Sequence, residues 1–195
     1  STFHQNGFNK IESLHQTRSR YDLAYKHILQ SNADCVLLQE VSPSFLNPNP
    51  SSHMYNNHIA EIHAKYHVIT TCTRSPGTTV LIHRSLAKDR ESLEYRRIEG
   101  SRDTGGDSKS STLIGIPISG STKRLWGIST HFTWDGNPQR RLHHVQLLQS
   151  LIEDVVAPSD MIILGGDFNC DCHTSSYWAG LVGNTFLSRL KHLQL

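Results

Sequence analysis

Two places where an apolar run ends in a polar turn constrain the fold of this chain most. Residues 161–164 (Met-Ile-Ile-Leu) lead directly into residues 165–169 (Gly-Gly-Asp-Phe-Asn). Earlier in the chain, residues 34–39 (Asp-Cys-Val-Leu-Leu-Gln) lead in the same way into Glu40. A buried strand that ends like this holds oxygen-bearing side chains rigidly at one edge of a sheet, where hard cations bind. The pattern therefore predicts a magnesium-type site at a sheet edge.

Length and composition indicate one compact domain with long polar loops. The chain has 195 residues, enough for a single domain with a core or for a piece of a larger one. Hydrophobic residues make up 36% and charged residues 18%, so uncharged polar residues fill the difference. The net charge of +2 is weaker than the excess that dedicated nucleic-acid binders usually carry. Charge alone therefore does not identify a partner, and we predict one domain over residues 1–195.

The cysteines predict a reducing, intracellular location. Cys35 and Cys72 lie in apolar strand patterns and are expected to be small buried residues. Residues 170–173 (Cys-Asp-Cys-His) resemble half of a zinc motif, but a second ligand pair is missing. The pattern does not resemble a disulfide framework. The sequence shows neither a membrane-length apolar stretch nor a signal peptide, although a removed targeting segment stays open because the first residue is not methionine.

Hydrophobic periodicity predicts long helices separated by short strands. Helices are predicted over residues 17–32 with Thr17 as the N-cap, over about 55–66, and from Pro138 to about 156. Strands are predicted over residues 34–39, 66–73, 78–83, 112–118, 124–131 and 161–164, with polar loops over 42–53 and 99–110. A Gly-Gly turn and a short helical stretch follow the last strand. This order favours an α/β (α+β) fold with a two-layer sheet core and helices packed outside.

Four polar residues at predicted strand ends are candidates for chemistry. Glu40 can bind a divalent cation, and Asp167 can accept a proton from an attacking water while Asn169 holds the water or the phosphate. His131 ends its strand at the same level and can stabilise charge on a phosphoryl oxygen. Each also has a plain structural interpretation: a solvated loop residue for Glu40, an Asx turn for the Asp-Asn pair, and a packed histidine for His131.

A basic segment opens the longest predicted helix. Arg140 and Arg141 are followed by His143 and His144. Such a cluster can contact phosphates, but a solvated helix face is the favoured interpretation.

Three segments in a fixed order resemble the motifs of the endonuclease/exonuclease/phosphatase superfamily, the DNase I-like group. They are residues 37–41 (Leu-Leu-Gln-Glu-Val), 129–132 (Ser-Thr-His-Phe) and 165–169. Residues 130–135 (Thr-His-Phe-Thr-Trp-Asp) are most similar to the branch that holds the deadenylases, nocturnin, the angel proteins and the 2′-phosphodiesterases. The resemblance implies two packed, mixed β-sheets flanked by helices, which is a four-layer sandwich.

The resemblance also implies a role for each candidate residue. Glu40 would be the principal ligand of Mg²⁺, with Mn²⁺ as a possible substitute. Asp167 would orient or deprotonate the attacking water with Asn169 beside it, and His131 would contact the scissile phosphate. The implied activity is Mg²⁺-dependent phosphodiester hydrolysis, in the form of a ribonuclease or 3′-exonuclease that acts on RNA.

The resemblance is incomplete near both ends of the sequence. The first motif of the family ends in a metal-linked asparagine, and residues 3–8 offer Asn6 for this position. The more literal register places His4 there instead, and imidazole is a poorer partner for Mg²⁺ than an amide oxygen. The family closes with an Asp-His pair, which residues 190–195 do not supply. The resemblance therefore implies a domain that is truncated at its C-terminal end.

Three functions remain open from the sequence. The first is the Mg²⁺-dependent hydrolase of RNA, and the second is a non-catalytic scaffold or binding subunit that keeps the fold. The third keeps the catalysis but acts on a phosphoinositide, sphingomyelin or a tyrosyl–DNA adduct. Substrate choice is expected to depend on the loops over residues 42–53, 99–110 and 133–139.

Overall fold

A computed structural model describes residues 13–52, 54–70, 77–102, 108–132 and 138–169 of the chain. The helices in these ranges are α1 (Leu14–Ser31), α2 (Asn57–Lys65) and α3 (Pro138–Val155), with a short 3₁₀ turn at Arg90–Ser92. The strands are β1 (Cys35–Val41), β2 (Tyr66–Thr70), β3 (Gly77–His83), β4 (Glu94–Arg102), β5 (Ser108–Pro117), β6 (Arg124–His131) and β7 (Met161–Asp167). None of these helices has the length and apolarity needed to cross a bilayer.

The strands form two sheets. One has the order β1-β3-β2 and is antiparallel, and the other has the order β4-β5-β6-β7. In the second sheet only the described pair β6 and β7 runs parallel, because α3 connects them. That parallel pair places the C-terminal ends of β6 and β7 side by side, which is the edge where the candidate residues lie.

Apolar side chains of the described residues form three clusters, one between each pair of neighbouring layers. The first lies between α1, α2 and the three-stranded sheet and includes Tyr25, Phe45, Ile59, Ile62 and Leu81. The second lies between the sheets and includes Ile69, Val80, Ile82, Ile114 and Ile116. The third lies between the four-stranded sheet and α3 and includes Leu113, Trp126, Ile128, Phe132 and Leu148. The resulting helix–sheet–sheet–helix sandwich confirms the predicted fold class.

The first helix begins earlier than its sequence pattern predicts. Ser13 is the N-cap: its hydroxyl accepts from the Gln16 backbone N–H at 3.3 Å, and the Gln16 side chain accepts from the Ser13 N–H at 2.9 Å. This capping box satisfies N–H groups that the first helical turn otherwise leaves without partners. The prediction of Thr17 as the N-cap is wrong, because apolar periodicity only begins inside the helix, after the cap.

Residues 99–110, predicted as a loop, belong in large part to strands. The β4 strand runs to Arg102 and β5 begins at Ser108, and these two residues pair with each other in the ladder. Hydrophobic periodicity misses this hairpin because its residues are mostly polar. Polar residues are common in an edge strand such as β4, and Lys109 and Ser110 of β5 are buried although they are polar. The start of β4 at Glu94 was likewise not predicted.

Polar side chains connect the two sheets near the edge that carries the candidate residues. The Thr78 hydroxyl lies 2.7 Å from that of Thr112 and 3.2 Å from that of Ser110, and all three side chains are buried. The Gln39 amide donates to the Ser129 hydroxyl at 3.0 Å. Buried polar contacts of this kind are direction-dependent, so they fix how one sheet sits on the other.

Candidate active site

The structure brings together three of the predicted side chains from three different strands. The Nε2 atom of His131 lies 3.8 Å from Oε1 of Glu40 and 3.7 Å from Oδ2 of Asp167. The parallel register between β6 and β7 pairs His131 with Asp167, and Glu40 arrives from the other sheet. The histidine is buried, whereas both carboxylate side chains are 50% exposed. The site is therefore a buried imidazole beneath two acidic groups that solvent reaches.

A local distortion of β1 accompanies Glu40. The pairing of β1 with β3 shifts register between Leu38 and Val41, and Glu40 has a φ of 53°. Regular alternation would place Glu40 on the same face as Leu38, which packs toward α1. A bulge re-aims a side chain at the end of a strand, and a left-handed backbone at a non-glycine residue is strained. The distortion brings the Glu40 carboxylate toward the end of the second sheet.

Asp167 uses its two carboxylate oxygens for different contacts. Its Oδ1 atom accepts from the Asn169 backbone N–H at 2.9 Å, while Oδ2 faces His131. The structural interpretation as an Asx turn therefore applies, and it leaves Oδ2 outside the turn. Asn169 has a φ of 49°, and its side-chain amide donates to the Phe132 carbonyl at 2.5 Å. Phe168 packs edge-on against Phe132 in the cluster beneath α3.

The strand β7 extends through the two glycines. Gly165 pairs with Ser129 and Gly166 with Thr130, so the predicted Gly-Gly turn is wrong. The turn begins only after Asp167. A side chain at Gly165 would meet Leu37 of the facing sheet at 3.0 Å, and one at Gly166 would overlap the Thr130 backbone. These glycines are needed for close approach rather than for chain reversal.

Lys109 is a site residue that the sequence did not reveal. It is 5% exposed, and its Nζ atom lies 3.2 Å from Nε2 of His131. The donor and acceptor roles of the two nitrogens in this contact depend on the tautomer of the imidazole. The distances from Nε2 to the Glu40 and Asp167 carboxylates are both longer than a hydrogen bond allows. Lys109 therefore places a basic group beside His131 at the candidate site.

The α3 helix anchors the turn that carries Asp167. Arg141 is half-buried and donates from Nη1 to the Asn169 carbonyl at 3.0 Å. The favoured prediction of a solvated helix face is wrong for this residue, because its long side chain reaches back to the strand end. Periodicity places the residue on the helix surface but does not show where the guanidinium goes.

The buried histidine His144 is linked by hydrogen bonds to the strand that carries His131. The Nε2 atom of His144 lies 3.0 Å from the Ser111 hydroxyl, which lies 2.6 Å from that of Thr130, next to His131 in the chain. Burial, together with the nearby His131 and His143, lowers the pKa of His144 from 6.5 to about 4. The imidazole is therefore neutral at physiological pH.

This pKa shift predicts a loss of stability in mild acid. The unfolded chain takes up a proton at His144 near its ordinary pKa of 6.5, whereas the folded chain resists it down to about 4. Between these values the unfolded state binds more protons, so stability falls as pH falls. We expect the free energy of unfolding to drop by about 2 kcal/mol from about pH 7 to about pH 5 through this group alone. Urea unfolding of the wild type and of His144→Gln at both pH values measures it: the extra loss should occur only in the wild type, and equal losses in both would contradict it.

The residues present fit a divalent cation that is held partly by water and substrate oxygens. Mg²⁺ in proteins is commonly held by one or two carboxylates together with water and substrate oxygens. Glu40 and Asp167 supply such oxygens on an accessible edge. In the described part of the chain, no three His, Cys, Asp or Glu side chains are grouped to hold a metal by themselves. The alternative first-motif residues His4 and Asn6, and the segment 170–173, lie outside the described residues.

Comparison with protein families agrees with this arrangement of strands. A model of the Endonuclease/Exonuclease/phosphatase family matches residues 7–186, which is most of the chain. The chain belongs to this family. No curated protein sequence matches the chain significantly.

Solved structures of this family share the fold at low sequence identity. The D. rerio TDP2 complexed with a single-strand DNA product is 14% identical with a TM-score of 0.60, and the match covers 87% of this chain and 60% of that one. The human Nocturnin catalytic domain with a bound sulfate anion is 15% identical with a TM-score of 0.60, covering 86% and 62%. ANGEL2, a 2′,3′-cyclic phosphatase in complex with adenosine-2′,3′-vanadate, is 17% identical with a TM-score of 0.59, covering 82% and 46%. The chain thus spans less than two thirds of the length of each.

Proposed function

We propose that this chain is a Mg²⁺-dependent phosphodiester hydrolase that acts on the 3′ end of RNA. The observation that carries the proposal is the convergence of Glu40, His131 and Asp167 at one sheet edge, with the Lys109 ammonium beside them. The two accessible carboxylates can hold a metal ion, and a metal ion lets an anionic substrate approach them. The buried Lys109 ammonium beside them also favours an anionic substrate.

The geometry supports a separate role for each group. Glu40 would hold Mg²⁺, and Asn6 of the N-terminal motif would be its second protein ligand. The metal ion would neutralise charge on the phosphoryl oxygens. Asp167 accepts the proton of the attacking water through Oδ2, because Oδ1 is already engaged in the turn. Lys109 and His131, which lie side by side, would stabilise the charge that develops on the phosphoryl group. Asn169 keeps the turn rigid.

The choice of a nucleotide polymer rests on the sequence motif and on the relatives. Residues 130–135 are similar to the deadenylase and angel branch, and the structures with this fold include ones with a DNA product and with an adenosine derivative. These ligands belong to those proteins, and they support a nucleotide substrate for this chain by analogy. RNA is our proposal among nucleotide polymers.

Hydrolysis of a 5′-labelled oligoadenylate in the presence and absence of Mg²⁺ tests the proposal. We expect shortening with Mg²⁺, none after chelation, and recovery when Mg²⁺ is added back. In Glu40→Gln the Mg²⁺ concentration that gives half the maximal rate should rise. Loss of a residue that only supports a metal ligand costs about 10- to 100-fold in metal affinity, and loss of a ligand itself should cost at least as much.

The matched control is Glu61→Gln, which changes an exposed glutamate on α2 that pairs with Lys65. Its Mg²⁺ dependence should equal that of the wild type. A wild-type chain that binds the oligomer without cleaving it at any Mg²⁺ or Mn²⁺ concentration would contradict the proposal and favour the scaffold. Cleavage of a sphingomyelin, phosphoinositide or tyrosyl–DNA substrate in preference to RNA would favour the third alternative.

A further inference from the structure

A cavity of about 250 Å³ lies next to the candidate site, on the α1 side of the end of β1. We call it the α1 pocket; its walls include Arg20, Tyr21 and Ala24 of α1 and Gln39, Glu40 and Phe45. Glu40 thus belongs both to the lining of the pocket and to the candidate site. Whatever group enters the pocket lies directly beside the place where the scissile phosphate would bind.

We propose that the α1 pocket binds the base of the nucleotide that adjoins the scissile phosphate, which rests on the proposed function. The cavity is smaller than the about 300–1,000 Å³ of pockets that enclose a whole ligand. It therefore suits one ring system of a larger substrate. A nucleotide also carries its phosphate at a fixed short distance from its base, which matches a pocket that borders Glu40.

The lining is chemically suited to a base. The Arg20 guanidinium carbon lies 5.7 Å from the centre of the Tyr21 ring. Tyr21 in turn packs edge-on against Phe45, with ring centres 4.8 Å apart. Single-stranded RNA is recognised by stacking of unpaired bases on aromatic rings and on arginine guanidinium planes. The pocket offers both kinds of surface.

Hydrogen bonds hold this lining in place. The Tyr21 hydroxyl lies 2.7 Å from that of Ser42, which lies 3.0 Å from the hydroxyl of Ser44. Phe45 is buried in the cluster beneath α1, so the floor of the pocket is part of the core. A lining that is already ordered loses little side-chain entropy when a ligand stacks on it.

The test compares two oligoadenylates of equal length, one intact and one abasic at its 3′-terminal residues. In Arg20→Ala, kcat/KM for the intact oligomer should fall about tenfold or more, the size expected when a stacking partner is lost. The rate on the abasic oligomer should stay within about twofold of wild type, because that substrate has no base for the pocket. Arg18→Ala is the control, since it removes an exposed arginine of the same helix that does not line the pocket.

A second variant checks that the space itself matters. Ala24→Leu fills the pocket from α1 with a residue that favours helix. It should raise KM for the intact oligomer and leave the abasic one unchanged. Equal effects of Arg20→Ala on both oligomers, or equal effects of Arg20→Ala and Arg18→Ala, would overturn the assignment of the pocket. If the wild type cleaves neither oligomer with Mg²⁺, the proposed function itself fails.

Discussion

Asp167→Asn is expected to lower kcat by about 10²- to 10⁴-fold, the range associated with loss of a general base. The variant keeps the shape of the side chain, and its carbonyl oxygen can still accept from the Asn169 N–H and preserve the turn. The group that faces His131 would then be unable to accept a proton. The loss should therefore appear in the chemical step, with little change in the folding stability of the chain.

Single-turnover rates at saturating Mg²⁺, together with thermal unfolding, separate the two effects. Asp154→Asn is the matched control, because it makes the same change at an exposed position on α3. It should leave both the rate and the unfolding temperature unchanged. A full rate in Asp167→Asn would show that this carboxylate is not the base. A large drop in unfolding temperature would show that the turn, rather than the chemistry, depends on its charge.

The backbone framework of the site follows from the sequence because it depends on strand ends. Apolar runs that lead into Glu40 and Gly165 identify two strands, although β7 continues through both glycines to Asp167. A helix between two strands predicts a parallel pair, and parallel neighbours bring their C-terminal ends together. These local rules place His131 beside Asp167, whereas Glu40 reaches the same edge from the other sheet.

The parts that the sequence did not predict depend on contacts between distant segments. The bulge that accompanies Glu40 arises from the pairing of β1 with β3. Lys109 is flanked by serines in a segment predicted as a loop, and its burial depends on the pairing of β5 with its neighbours. The contact of Arg141 with the Asn169 carbonyl depends on how α3 packs. None of these has a signal in the local periodicity. The metal role of Asn6 stays a prediction.

Gly166→Ala is expected to destabilise the fold by about 4 kcal/mol and to abolish activity, because the site depends on a close approach of two strands. Gly166 has a φ of 154°, a region that side chains rarely adopt. A Cβ atom there would lie 1.9 Å from the Thr130 carbonyl oxygen. Overpacking and backbone strain each cost about 1–3 kcal/mol, and here they coincide. Relief requires β7 to move away from β6, which separates Asp167 from His131.

Comparison with Gly120→Ala separates the steric clash in Gly166→Ala from its backbone strain. Gly120 also has a positive φ, 72°, in the turn between β5 and β6, but nothing lies within 4 Å of a Cβ built there. That variant should lose only the about 1–2 kcal/mol of a left-handed backbone and should keep its activity. Urea unfolding of both variants measures the difference. If both lose the same stability, backbone strain accounts for the whole effect. The contact between β6 and β7 would then be loose enough to admit a methyl group, and the spacing of Asp167 and His131 would not depend on Gly166.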